Sequence, residues 1–115
     1  MSENKIRTKY KIVSHCKTST DSIDIYYRFK IRSKELKIRE TSQNCLSIDV
    51  GVARSSDEIN PFLGMSYDDI STEVMKNLIL EDIRKKSKEL IQRTLRQREL
   101  TGWSKWEEIT IEIDN

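Results

Sequence analysis

At 115 residues and 13.6 kDa, the chain is sized for one domain spanning residues 1–115, with a single core and not two. Hydrophobic residues make up 36% and charged residues 35%, a thinner core than globular proteins usually have, which favours support from an oligomer or a partner. Twelve Lys and Arg against six Asp and Glu in residues 1–54 become nine against thirteen in residues 55–115, so a net charge of only +2 conceals two halves of opposite sign.

The first patterned segment alternates Ile6, Thr8, Tyr10 and Ile12 with Arg7, Lys9 and Lys11, the period of two of a strand with one face buried and one in water. A longer run follows, with Ile23, Ile25, Tyr27, Phe29 and Ile31 in one row and Asp24, Tyr26, Arg28, Lys30 and Arg32 in the other. After Ser33-Lys34 the alternation restarts, Leu36 and Ile38 inward and Lys37 and Arg39 outward, and so short a connection predicts a hairpin. Thr41-Ser42-Gln43-Asn44 reads as a polar turn. Leu46, Ile48, Val50 and Val52 then form a fourth run against Ser47, Asp49 and Gly51. Four strands with short links predict an antiparallel meander, which tolerates one wet face.

From Ser66 to Leu100 there is neither Gly nor Pro, and Ile70, Val74, Leu78, Ile79, Ile83, Leu90, Ile91 and Leu95 recur at helical spacing. Ser66 with Asp68 and Asp69 makes a plausible cap, and Gly102 suits a left-handed closing residue. Such a helix would run roughly 50 Å against about 27 Å for an eight-residue strand. Either it overhangs toward a partner or it breaks, the weakest point being Arg84 to Glu89. Ile109, Ile111 and Ile113 alternate with Thr110, Glu112 and Asp114, which predicts a fifth, C-terminal strand. The expected architecture is α+β, a four-stranded antiparallel meander covered on one face by a long amphipathic helix.

If the first three strands are neighbours, parity gathers Arg7, Lys9, Lys11, Arg28, Lys30, Lys37 and Arg39 on one solvent face, with Tyr26 among them. Clustered cations suit phosphate backbones, and an aromatic on a sheet can stack on an unpaired base. The expected role is therefore non-enzymatic binding, to nucleic acid or a nucleoprotein, through Lys9, Lys11, Tyr26, Arg28, Lys30, Lys37 and Arg39. Charged faces also serve solubility and discourage edge pairing, and an acidic protein surface is a further candidate partner. The alternative is a regulatory or assembly protein that binds another protein through Phe62, Leu63 and Met65, through the helix or through an open sheet edge, with a homodimer among the possibilities.

Arg84 to Arg98 holds seven basic residues and one acid, which can simply solvate a helix or dock it on an anionic surface. Trp103 and Trp106 read as plugs for one end of the core. With neither an apolar N-terminal run nor a span long enough for a membrane, a cytoplasmic location with Cys16 and Cys45 reduced is expected. With His15 these cysteines make no known metal spacing, and neither a metal nor a cofactor is expected. Adjacent His15 and Cys16 point to opposite faces of an extended backbone, so no nucleophile–base pair forms.

Two likenesses are short. Ile48-Asp49-Val50-Gly51 resembles the first-strand aspartate of RNase H-like nucleases and actin-type ATPases, without the glycine-rich turn that follows it there. The succession of strands, long helix, Trp103 to Trp106 and the Ile109, Ile111, Ile113 segment is similar to the end of spore germinant-receptor C-subunit lipoproteins. The family's Asp and Gly turn after the helix is missing, and no membership is drawn from it.

Overall fold

The structure, a computed structural model, describes residues 5–19, 21–51 and 59–113. It is α+β: strands β1 (Arg7–Ser19), β2 (Ser22–Ser33) and β3 (Ile38–Asp49), a 3-10 turn at Tyr67–Asp69, and one helix, α1 (Thr72–Thr101). The strands form an antiparallel meander in the order β1-β2-β3.

β2 is the central strand because its odd positions have no polar interruption. Ile23, Ile25, Tyr27, Phe29 and Ile31 are at most 1% exposed. The register places Thr8, Tyr10 and Ile12 of β1 and Glu40, Ser42, Asn44, Leu46 and Ile48 of β3 on the same inner face. The predicted turn at Thr41-Ser42-Gln43-Asn44 is thus the middle of one continuous strand, and the meander has three strands where four were expected. An edge strand is only half covered, so polar side chains on its inner face keep partners: the Asn44 amide donates to the Ser42 hydroxyl at 2.9 Å. Val52, the expected end of the last run, lies outside the described residues.

β1 runs further than its alternation suggested because a bulge between Ile12 and Ser14 absorbs Val13. A bulge shifts the pleat by one residue. Beyond it His15 pairs with Ile25 on the inner face and Cys16 with Asp24 on the outer face.

The connection from β2 to β3 is a turn through residues 34–37. The Ser33 hydroxyl accepts from the Leu36 amide at 3.2 Å, and Lys37 takes a positive φ of 52°. Lys37 therefore belongs to the turn and not to the outward row of β3, which begins with Arg39.

α1 lies on the inner face. Its buried stripe is Met75, Ile79, Ile83 and Ser87, one residue every fourth position, which turns a single side toward the sheet. Leu78, Leu80, Leu90 and Ile91 flank the stripe, half-buried. The helix does not break at Arg84 to Glu89. Ser87 is small enough to take the buried position there while Arg84, Lys85, Lys88 and Glu89 stay outside. Nor is the length a difficulty, since strands of twelve and thirteen residues reach about 40 Å, close to about 45 Å for a helix of thirty.

The helix begins later than expected. Ser71 is its cap and accepts from the Val74 amide at 3.2 Å. Ser66 instead opens the 3-10 turn, where its amide donates to the Asp69 carboxylate at 2.8 Å; that bond holds the Asp69 carboxyl below its ordinary value. At the other end the Gly102 amide donates to the Arg98 carbonyl at 3.0 Å with φ −83°, so the closing residue is not left-handed. Glycine relieves crowding there, since a Cβ would sit 3.0 Å from that same oxygen.

Three ties fix α1 along the sheet. Tyr67, just before it, stacks on His15 with ring centroids 3.7 Å apart. Midway, the Tyr27 hydroxyl donates to the Asp82 carboxylate. Near its C-terminus the Arg98 guanidinium donates to the Leu36 carbonyl at 2.6 Å and to the Lys37 carbonyl.

Two expectations at the C-terminus fail together. Trp103 and Trp106 are fully exposed, and Ile109, Ile111 and Ile113 are 68–80% exposed. No fifth strand is present among the described residues, for 103–113 carry no sheet pairing. The reason is where the helix ends: Arg98 is already at the β2–β3 turn, so the chain leaves the body before the first tryptophan. The longest dimension of the molecule is 78 Å. No helix among the described residues is long and apolar enough to cross a membrane.

Candidate nucleic-acid interface

The outer face of the sheet, the one turned away from α1, is ordered in rows by the register. The row nearest the β2–β3 turn sets Arg7 beside Arg32 and Arg32 beside Arg39. The next sets Lys9 beside Lys30 and Lys30 beside Thr41. The third sets Lys11 beside Arg28 and Arg28 beside Gln43. Strands about 4.8 Å apart and same-face residues about 6.8 Å apart confine these seven cations to an area of roughly 10 by 14 Å.

All seven are exposed, and the ion pair between described residues lies elsewhere, Arg84 with Glu81 on α1 at 3.3 Å. The acids of the outer face stand at its far end and are otherwise engaged. Asp24 accepts from the Ser47 hydroxyl at 2.6 Å, and Asp49 from the Gly51 amide at 2.9 Å. Among the described residues no ion pair reaches these cations.

The surface between them is dimpled. A shallow depression of about 370 Å³ is lined by Arg7, Lys9, Lys30, Arg32, Arg39 and Thr41 among others. A second of about 240 Å³ lies among Lys9, Lys11, Arg28 and Lys30. The two share Lys9 and Lys30, so the cations form one continuous lining.

Tyr26 occupies the row below, beside Ser14 and Cys45. Its phenol is held above its ordinary value by neighbouring Cys16 first, then by Cys45 and Asp24, so it stays protonated and able to donate. Cys45 is raised as well, first by burial and then by Asp24. Both cysteines are free and exposed. With all of β2 between them their backbones stand roughly 10 Å apart, beyond the reach of a disulfide.

Of the residues expected at this face, Lys9, Lys11, Arg28, Lys30 and Arg39 are brought together, and Tyr26 borders them. Lys37 is not in the array but in the turn beyond its first row. Arg32 was missed as a site residue although it has the parity of Arg28 and Lys30. Its position became decisive only when the register set it between Arg7 and Arg39.

The basic stretch of α1 does not join this face, because the helix covers the opposite side of the sheet. The alternative site at the loop is not assembled as a patch: Phe62 and Met65 pack against the core and only Leu63, 56% exposed, points outward. Asn60 fixes that loop. Its amide donates to the Asp49 carbonyl at 2.9 Å and the Gly51 carbonyl at 3.0 Å, and its oxygen accepts from the Phe62 amide at 2.9 Å.

Among the described residues no three of His, Cys, Asp and Glu gather as metal ligands would. No protein-family model, curated protein or solved structure matches this chain.

Proposed function

We propose that the chain is a non-enzymatic binding protein whose outer sheet face, Arg7, Lys9, Lys11, Arg28, Lys30, Arg32 and Arg39, receives the phosphate backbone of a nucleic acid. One observation carries this reading: cation is set directly against cation in three successive rows across the β1–β2 ladder, and in the first of those rows across the β2–β3 ladder as well, with no carboxylate paired to any of them. Like charges opposite one another destabilise a sheet. A face that served solubility alone would be better built from alternating signs. The cost is offset when a polyanion lies over the array and its counterions are released. Tyr26, at the margin of the cations, is placed to stack on a base that leaves the phosphate track.

The test is binding of single-stranded and double-stranded oligonucleotides to the full chain across a range of salt. With four to seven phosphates neutralised, log K should fall against log salt with a slope of roughly −4 to −6. Replacing Arg28, Lys30 and Arg39 together by Glu should weaken binding about a hundredfold or more, by loss of three contacts and gain of three repulsions. Binding that is unchanged in that triple variant, or a flat salt dependence, overturns the proposal.

A further inference from the structure

The arm from Trp103 to Ile113 is strand-like in pattern, has no sheet pairing among the described residues, and carries five exposed large apolar side chains: Trp103, Trp106, Ile109, Ile111 and Ile113. Exposed apolar surface of that extent marks a contact site. The same molecule offers a place for it. β1 and β3 are the two edges of the sheet, and they differ in what they present.

Beside β3 an added strand would meet Glu40, Ser42 and Asn44 on the inner face and Thr41, Gln43 and Ser47 on the outer one. The middle of that border is polar on both sides, with Ile38 at one end and Leu46 and Ile48 toward the other. Beside β1 it would meet Thr8, Tyr10 and Ile12 on the inner face and Arg7, Lys9 and Lys11 on the outer one. The inner side of β1 also opens onto a cleft of about 530 Å³ against α1, lined by Ile6, Leu36, Leu80, Ile83 and Ile91 among others. The cleft is more apolar than polar, with Thr8, Arg84, Ser87, Lys88 and Gln92 also in its lining, and stands at the edge, where an incoming strand would turn its inner residues.

The arm matches this edge in length, parity and charge. Clean pairing along β1 runs from Arg7 to Ile12 before the bulge at Val13, six positions. Glu108 to Ile113 supplies six, with Ile109, Ile111 and Ile113 on one side and Glu108, Thr110 and Glu112 on the other. Setting the isoleucines inward sets the two glutamates among the three cations. With Thr110 opposite Lys9, an antiparallel strand places Glu108 at Lys11 and Glu112 at Arg7, and a parallel one exchanges the two. In either direction acid meets base at both ends. Opposite charges across a ladder stabilise it.

We infer that this chain associates with a second copy of itself by exchanging C-terminal arms, each adding as an edge strand to β1 of the other. The helix delivers Gly102 past the β2–β3 turn, and an extended arm of this length reaches about 36 Å beyond it, enough to lie along a neighbour's β1. Exchange closes two open edges at once, the usual remedy for an unpaired strand border. It also seats apolar surface that a chain with so small a core cannot cover alone. Arg28, Lys30, Arg32 and Arg39 stay open in such a dimer, so its formation does not depend on the nucleic-acid reading, and the two are tested separately.

The test uses the full chain with Cys16 and Cys45 both replaced by Ser and with Lys9→Cys and Thr110→Cys introduced together. These two positions face each other in both strand directions. On oxidation the inference expects a covalent dimer on a non-reducing gel, absent when either new cysteine is missing. A disulfide closed within one chain overturns it, as does no cross-link at all. Independently, sedimentation of the wild-type chain should show a dimer whose dissociation constant rises about tenfold or more in Ile111→Asp. That change sits on the exposed arm and leaves the body folded. A wild-type chain that stays monomeric at high concentration, or a dimer indifferent to Ile111→Asp, overturns the inference.

Discussion

The Tyr27 hydroxyl, from the middle of β2, donates to the Asp82 carboxylate on α1, the single side-chain hydrogen bond that joins helix to sheet halfway along their contact among the described residues. Tyr27 is 0% exposed, so a phenol that had lost this acceptor would have no water to turn to. Burial first, and then the Asp82 carboxylate, hold the phenol well above its ordinary value.

That shift sets a direction with pH. The phenol must stay protonated in the folded chain but ionises near pH 10 in the unfolded one, so its contribution is whole below pH 10 and is lost as pH rises beyond it. Urea unfolding at a series of pH values should show stability level up to about pH 10 and falling above. Tyr27→Phe should cost about 1–2 kcal/mol at pH 7, discounted because Asp82 is half-exposed and can be solvated. The variant should also lose this part of the alkaline fall. An unaltered alkaline profile in Tyr27→Phe would show that another group controls it.

Two residues of the buried stripe of α1 should respond in opposite ways. Ile79 is 0% exposed, and Ile79→Ala should cost about 2–5 kcal/mol through lost burial and the cavity left behind. Ser87 is buried with its hydroxyl unpartnered, so Ser87→Ala removes an unsatisfied group and gains helix propensity. Chemical denaturation should find it neutral or more stable by about 0.5–1 kcal/mol. A clear destabilisation by Ser87→Ala would mean that the hydroxyl has a role in the core.

Stability and binding should trade against one another at Arg32. Lying between Arg7 and Arg39, it is repelled from both sides, and Arg32→Glu converts two repulsions into two attractions. The variant should melt higher, by about 0.5 kcal/mol of stability at low salt, with the gain fading as salt screens it. The same change should weaken nucleic-acid binding by about tenfold or more and flatten its salt slope by about one to two units. A variant that gains stability without losing affinity would separate the cation array from any binding role.

The loop after β3 should come loose when Asn60 is replaced. Its amide and carbonyl make three hydrogen bonds to backbone groups, and Asn60→Ala leaves those groups without their partner. A loss of about 1–3 kcal/mol is expected, together with faster proteolytic cleavage between residues 59 and 65. Equal protease resistance in the variant would show that Phe62 and Met65 anchor the loop unaided.

Much of this fold was legible in the residue order. The unbroken odd row from Ile23 to Ile31 could only be a buried strand, and the absence of Gly and Pro between Ser66 and Leu100 pointed to helix, though not to whether it is one helix or two. Parity alone placed Lys9, Lys11, Arg28, Lys30 and Arg39 on a common face, because a pleat sends alternate side chains to opposite sides wherever the strand lies. Local composition misled where tertiary context overrode it. Thr41 to Asn44 looked like a turn, but an edge strand tolerates polar residues that water or a neighbour can satisfy. Lys37 kept the right parity in sequence and lost it to a left-handed turn.

Period and charge are local properties, so the chain by itself determined that strands precede a helical segment and which side of β1 and β2 is wet. Neighbour relations are not local. Only the tertiary structure decided that Arg32 stands between two arginines, that the bulge at Val13 turns His15 inward toward Tyr67, and that α1 carries Trp103 and Ile109 past the sheet. The pattern of Ile109, Ile111 and Ile113 specifies a strand face, but a strand is complete only with a partner, and this helix ends too far along for its own sheet to provide one.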